Sequence, residues 1–360
     1  MNAFFSTHYE QARERFRAAV EQANGQLTSY AVEVDAPDSG AALTMDVAIL
    51  GDAHSRNAVV VSSGVHGVEG FFGSAIQTAW LQRHADTSAR EDLCTILVHA
   101  VNPYGFAERR RWNEDNVDVN RNFLLPDESF QGEPDGYPLL DGFLNPPGPP
   151  PRLDLSLLQL LGLCLRHGYA PLAHAVTVGQ YEHPQGLFFG GTSPTASQRI
   201  FQQHGDAWLG EAERIIHVDL HSGLGRFAQY QMLAPPTPVA EKWSDEVFGA
   251  DNVQVVGRKK NVYRARGALT EWMTERLSQR TLLSVVAEFG TYRSLRVLNA
   301  LRRENRAFHY SARDSAAYAS AKAELLECFC PASTRWRRTV LDSGLHILQQ
   351  AAAAVARISR

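Results

Sequence analysis

The segment NAVVVSSGVHGVEG, residues 57–70, sets the reading of this chain. It opens with an almost unbroken run of small and β-branched apolar residues. Such a run suits a central strand covered on both faces. It then passes into a glycine-rich loop bearing His66 and Glu69. Loops at the ends of buried strands are where a rigid sheet displays its chemistry. The pair has two readings: two solvated polar groups on a turn, or the first half of a metal site.

Working outward, EGFFGSAIQTAWLQRHA follows at helical period, and CTILVHAVNPYGF reads as a second buried strand running into a turn at Asn102, Pro103 and Gly105. Upstream, AVEVDAPDSGAALTMDVAILGD reads as two strands joined by a polar turn. Strand–helix–strand order predicts an α/β fold with a mixed, mostly parallel central sheet flanked by helices. Residues 124–151 break the pattern. They are rich in Pro, Gly and Asp, and NPPGPPP fits neither a helix interior nor a central strand. A short apolar helix is expected from residue 153 to about 166, and another after an N-cap at Thr195 or Ser197. AERIIHVDLHSG, YQMLAP, NVQVVG and LLSVVAEFG read as further strands, and residues 294–360 as helical. Because strands resume after the break, the expectation is one domain over 1–360 with an insertion around 124–214.

The net charge of −4 is mild, and no basic run is long enough for a nucleic-acid surface. The N-terminus reads as an amphipathic helix rather than a signal segment, and LDLSLLQLLGLCL is too short to span a bilayer. A cytoplasmic protein with no nucleic-acid or membrane partner is expected. Cys94, Cys164, Cys328 and Cys330 form no C-x-x-C pair and read as reduced, mostly buried thiols. Oligomeric state is left open.

A catalytic zinc site needs about three protein ligands and a free position. His66 and Glu69 supply two, and HVDLHSG offers the third. There His217, Asp219 and His221 alternate, so all three point to one sheet face. His221, at the strand end, is the ligand candidate. Asp219 is placed to orient a ligand histidine from behind, and His217 reads as a satisfied core histidine. Glu288, near the end of an apolar strand, is either a base or half of a structural ion pair. Arg111, Asn120 and Arg121 lie in a polar-dense segment, where guanidinium groups can hold a carboxylate in bidentate fashion.

In this order, H-x-x-E, NPYG, VDVNRNF, a strand ending in LHS, a tyrosine segment and a strand glutamate, the chain resembles the zinc carboxypeptidase family over residues 57–292. The nearest likeness is to a poorly characterised bacterial branch with an EFGTY ending. The resemblance implies a zinc carboxypeptidase-like fold and one Zn²⁺ held by His66, Glu69 and His221. It implies Arg111 as the oxyanion partner, Asn120 and Arg121 as the clamp on a terminal carboxylate, and Tyr263 as a residue closing over the substrate. It also makes Glu288 the general base and puts Thr270 at the pocket floor. Arg264 and Arg266 depart from the small residues usual after the tyrosine. Thr270 is neither acidic nor bulky, so a basic side-chain preference is not implied, and QGLFFGG is expected to wall the pocket.

The reading is therefore a zinc-dependent hydrolase acting on a peptide or small amide near a free carboxylate. The alternatives are an aspartoacylase-like amidohydrolase acting on small N-acyl amino acids, and a non-catalytic zinc- or ligand-binding protein on the same fold.

Overall fold

The β-branched run that opens the argument becomes β3 (Asn57–Ser63), buried along its whole length. The computed structural model describes residues 2–34, 42–84, 92–151, 156–256 and 264–359. Around β3 lies an eight-stranded sheet of β1 (Gln26–Ala31), β2 (Thr44–Gly51), β4 (Cys94–His99), β5 (Arg214–Ser222), β6 (Tyr230–Ala234), β7 (Val253–Val255) and β8 (Thr281–Phe289). Their spatial order is β1-β2-β4-β3-β5-β8-β6-β7. The centre is parallel: β3 pairs with both β4 and β5, and β5 pairs with β8. The pairings β1–β2, β2–β4 and β6–β8 are antiparallel, and β6–β7 is parallel. The sheet is mixed, as the strand–helix–strand order predicts. The first strand lies earlier than its apolar pattern suggested, and the polar turn between β1 and β2 at 35–41 is outside the described residues.

The helices are α1 (Tyr9–Gln22), α2 (Gly70–His84), α3 (Pro103–Ala107), α4 (Tyr137–Leu144), α5 (Ser156–His167), α6 (Tyr169–Val178), α7 (Ala196–Leu209), α8 (Pro238–Phe248), α9 (Leu269–Arg276), α10 (Ser294–Tyr310), α11 (Ala316–Phe329) and α12 (Thr334–Ala354). The start of α2 is apolar on every side and is buried accordingly between the sheet, α1 and α12. α2 and α12 approach closely. A Cβ at Gly344 would lie 2.6 Å from Ile76, and Phe72 meets Trp336 edge-on at 6.2 Å. α7 begins at Thr195, whose side chain accepts from Gln198 N at 3.3 Å. Phe201 of α7 and Trp272 of α9 pack with Phe123 on the other side of the core.

Within the Pro-rich segment α4 forms ahead of NPPGPPP. Pro138 sits in the first turn of that helix, where a missing N–H costs nothing and its fixed φ is already helical. Together α4, α5, α6 and Phe188 build a second apolar cluster with Val297, Leu301 and Phe329. Among the described residues no helix is long and apolar enough to cross a membrane. The four cysteines are free; Cys94, Cys328 and Cys330 are buried and Cys164 is half-buried.

Candidate metal centre

Parallel pairing puts the C-terminal ends of β3, β5 and β8 at one edge of the sheet, where open α/β sheets place their ligands. β3 runs out through Gly64 (φ 67°) into the 3-10 turn Gly67–Glu69. That turn is pressed against α3. A Cβ at Gly67 would lie 2.0 Å from the Gly105 carbonyl carbon, so no larger residue fits there. The turn is also tied by its backbone, Gly67 N donating to Arg111 O (3.2 Å) and Val68 N to Arg110 O (2.6 Å). These contacts fix His66 and Glu69 on a rigid support.

His66, Glu69 and His221 converge, with ligand atoms within 4.8 Å of one another, and all three are buried. The His66 and His221 Nδ1 atoms face each other at 3.2 Å. Glu69 lies against both, its Oε1 2.9 Å from His66 Nδ1 and its Oε2 3.1 Å from His221 Nδ1. Each ring turns its other nitrogen to a buried carboxylate. His221 Nε2 is 2.6 Å from Asp219 Oδ2, and His66 Nε2 is 3.2 Å from Asp118 Oδ1. With Nε2–H donating outward, each Nδ1 turns its lone pair inward, the arrangement seen for metal-bound histidines. Two ring nitrogens and a carboxylate converging across about 3 Å form a set that could hold a metal ion between them. The donor set of two imidazoles and a carboxylate fits zinc.

Burial opposes ionisation of Glu69, but the two histidines outweigh it and hold the carboxyl down at about 2. Burial likewise opposes ionisation of Asp118, which Arg111 and His66 hold well below the usual range. Asp219 is kept low, against burial, by His221. Three carboxylates are thus kept ionised around the two imidazoles and the Arg111 guanidinium.

Asp118 went unassigned in the sequence, although it sits inside VDVNRNF. It touches His66 and also receives Arg111 Nε at 2.9 Å. The only signal was an acid flanked by valines in a segment that must be buried. Asp219 orients His221 as expected and accepts from Ser62 Oγ at 2.6 Å. Ser62 continues to His217 Nε2 at 2.8 Å, and His217 Nδ1 ends on Ser284 Oγ at 2.9 Å. His217 is therefore a satisfied core histidine behind the site.

A cavity of about 570 Å³ opens over the triad. Arg111, Asn120, Arg121, Thr270 and Glu288 all line it, so these expected residues come together. Tyr263 falls outside the described residues. Glu288 is half-buried and pairs in register with His221 across β5–β8. It accepts from Leu224 N at 2.9 Å and, among the described residues, has no ion-pair partner. Burial first, then the Glu69 carboxylate, pushes it up to about 7. Arg121 is buried beside Gly179 and donates to Asn120 O at 2.9 Å, and its Nε has no partner among the described residues. Asn120 accepts from Leu269 N at 3.0 Å, which anchors the start of α9 and with it Thr270.

Arg264 pairs with Glu271 at 2.7 Å. Arg266 turns away to the Gln131 and Ser129 carbonyls and stacks on Tyr181, so it does not occupy the cavity. From QGLFFGG, Phe188 does wall the cavity, under the Arg111 guanidinium. Its φ of 60° is a conformation bulky residues rarely adopt.

The chain belongs to the family described as proteins of unknown function, DUF2817, whose profile matches residues 5–343. No curated protein matches it in sequence. Among solved structures it is similar to bovine thrombin-activatable fibrinolysis inhibitor bound to a tick carboxypeptidase inhibitor. That match has 11% identity and a TM-score of 0.58 and covers 99% of both chains. It is also similar to carboxypeptidase A from Helicoverpa armigera, at 13% identity and a TM-score of 0.50, over 98% of this chain and 76% of that one. At such identities the likeness shows the carboxypeptidase-like fold.

Proposed function

We propose that this member of the DUF2817 family is a zinc-dependent hydrolase that cleaves an amide bond near a free carboxylate. The observation that carries the reading is the junction of two features in one cavity. One is a His66–Glu69–His221 donor set; the other is a carboxylate, Glu288, with no ion-pair partner among the described residues.

His66, Glu69 and His221 would hold the ion, with Asp118 and Asp219 fixing the two rings. When bound, zinc supplies a water of pKa roughly 7 and polarises the scissile carbonyl. Glu288 takes a proton from the attacking water and returns it to the departing amine nitrogen. Arg111, its Nε held by Asp118, offers its remaining N–H groups to the developing oxyanion. Arg121 and Asn120, which both line the cavity, take the substrate carboxylate. In this proposal Tyr263 closes over the bound substrate and Thr270 bounds the pocket for the side chain next to the carboxylate.

The walled cavity favours small amides, so an amidohydrolase acting on N-acyl amino acids is the second reading. A scaffold that only binds metal would have no use for an unpaired carboxylate beside it, which counts against a non-catalytic role.

The test is elemental mass spectrometry of wild type and His66→Ala purified without chelators, then turnover of C-terminally free peptides against N-acyl amino acids. About one zinc per chain, lost in the variant, and turnover of either panel supports the proposal. Absence of zinc uptake by wild type, or a zinc-loaded protein inert on both panels, rejects it.

A further inference from the structure

The cavity has a second wall that the chemistry above does not use. The 124–214 segment contributes Leu140, Phe143, Leu160, Leu172, Val176 and Phe188 to it, and α10 adds Leu298 and Leu301. None of the described cavity-lining residues in that segment carries a charge. The charges instead gather around the triad and on Arg121 and Glu271. Leu160, Val176 and Leu298 are only half-buried. The apolar cluster formed by α4, α5, α6 and α10 is thus left unfinished on the side that opens toward His66 and Glu288. A contiguous apolar wall on a polar reaction centre marks a ligand-binding face.

We propose that this wall is an acyl-binding site, and that the substrate is an amide joining an apolar acyl chain to an amino acid whose carboxylate is free. The inference rests on the hydrolase reading and extends it. The carboxylate goes to Arg121 and Asn120, the scissile carbonyl to the metal triad and Arg111, and the hydrocarbon to the α4–α6 wall. Hydrolysis adds water across the amide, with hydroxyl to the acyl carbon and hydrogen to the amine nitrogen. It releases a fatty or aryl carboxylic acid and a free amino acid, with no change of oxidation state. The wall belongs to the segment that the α/β pattern does not require. Its helices α4, α5 and α6 turn apolar side chains to the cavity that holds the site.

Calorimetric binding of N-acyl-alanines of increasing chain length, from acetyl to decanoyl, to the zinc-loaded protein tests the proposal. Kd is expected to fall by about fourfold per added methylene until the lobe is full. In Leu160→Trp the long homologues should lose this gain while N-acetyl-alanine binds as before; Leu298→Trp, on the opposite helix, is a second variant should the first fail to fold. Affinity independent of chain length, or an equal gain in wild type and in a folded lobe variant, overturns the acyl site. Turnover is read separately. A series that binds with the expected chain-length dependence but is never cleaved rejects the hydrolase reading and leaves the acyl site standing.

Discussion

Glu288 and the metal triad share one strand edge, but they are not equivalent. The two histidines are held by carboxylates behind them and Glu69 accepts from Ser222 N at 3.1 Å, whereas Glu288, among the described residues, is held only by Leu224 N–H. Removing the base should leave the ligands in place. Glu288→Gln is expected to retain zinc by elemental analysis while kcat falls by about 10²–10⁴. The supporting acids behave in the opposite way. Asp118→Asn and Asp219→Asn each replace the acceptor that orients a ligand ring. Zinc affinity, measured by chelator competition, is expected to drop about 10–100-fold in each. Asp118→Asn should in addition slow turnover at saturating zinc, because the same carboxylate positions Arg111. Equal effects of the two substitutions at saturating zinc would argue against Arg111 as the oxyanion partner.

At the scale of elements, the site depends on how the turn Gly67–Glu69 is wedged between α3 and the 110–111 backbone. Gly67→Ala puts a methyl carbon into the Gly105 backbone. Either α3 or the turn must move, and zinc stoichiometry is expected to fall with it. Behind this wedge lies a buried ion cluster. Arg110 Nε meets Glu304 Oε1 at 3.0 Å, Lys322 Nζ meets the same oxygen at 2.7 Å, and Arg110 stacks on Phe308. The cluster ties the arginine segment to α10 and α11. Burial lowers the Lys322 ammonium to about 8 despite Glu304. Neutralising the shared anion strands two buried cations. Glu304→Gln should cost about 3–5 kcal/mol in urea unfolding, with a loss confined to a few tenths arguing that water enters the cluster.

Over the whole molecule, acid sensitivity follows from buried neutral histidines. Burial lowers His99 and His217 to about 4, each against the pull of a neighbouring aspartate. Between the ordinary value of 6.5 and about 4 the unfolded chain binds protons that the folded chain refuses. Stability therefore falls as pH drops through this window, by an upper bound on the order of 3 kcal/mol per histidine. His99 stacks on Phe16 at 4.4 Å, and its Nδ1 has no hydrogen-bond partner among the described residues. His99→Phe keeps the stack and removes the titration. Its urea midpoint should drop less than that of wild type between about pH 7 and about pH 5. An unchanged drop would place the acid sensitivity elsewhere.

The chain's own pattern was enough for the centre of the sheet and for the group His66, Glu69 and His221 that converges at its edge. A continuous β-branched run has to be covered on both faces, and its end has to open into a loop, so β3, β5 and β8 and the positions of His66, His221 and Glu288 could be read without coordinates. The N-cap of α7 was legible to within Thr195 or Ser197, because a cap is a local hydrogen bond, and the structure selects Thr195. Three things were decided only by tertiary structure. Asp118 became a partner of His66 across 52 residues of chain, and no local period reports a contact of that range. α4 formed inside a proline-rich stretch because its burial against the α10 cluster outweighs its poor propensity. Arg266, a departure in the motif, was turned out of the cavity by carbonyls supplied from residues 129–131. Periodicity encodes which face of an element is buried, whereas the groups that meet across the fold are selected by packing and by the need to pair every buried charge.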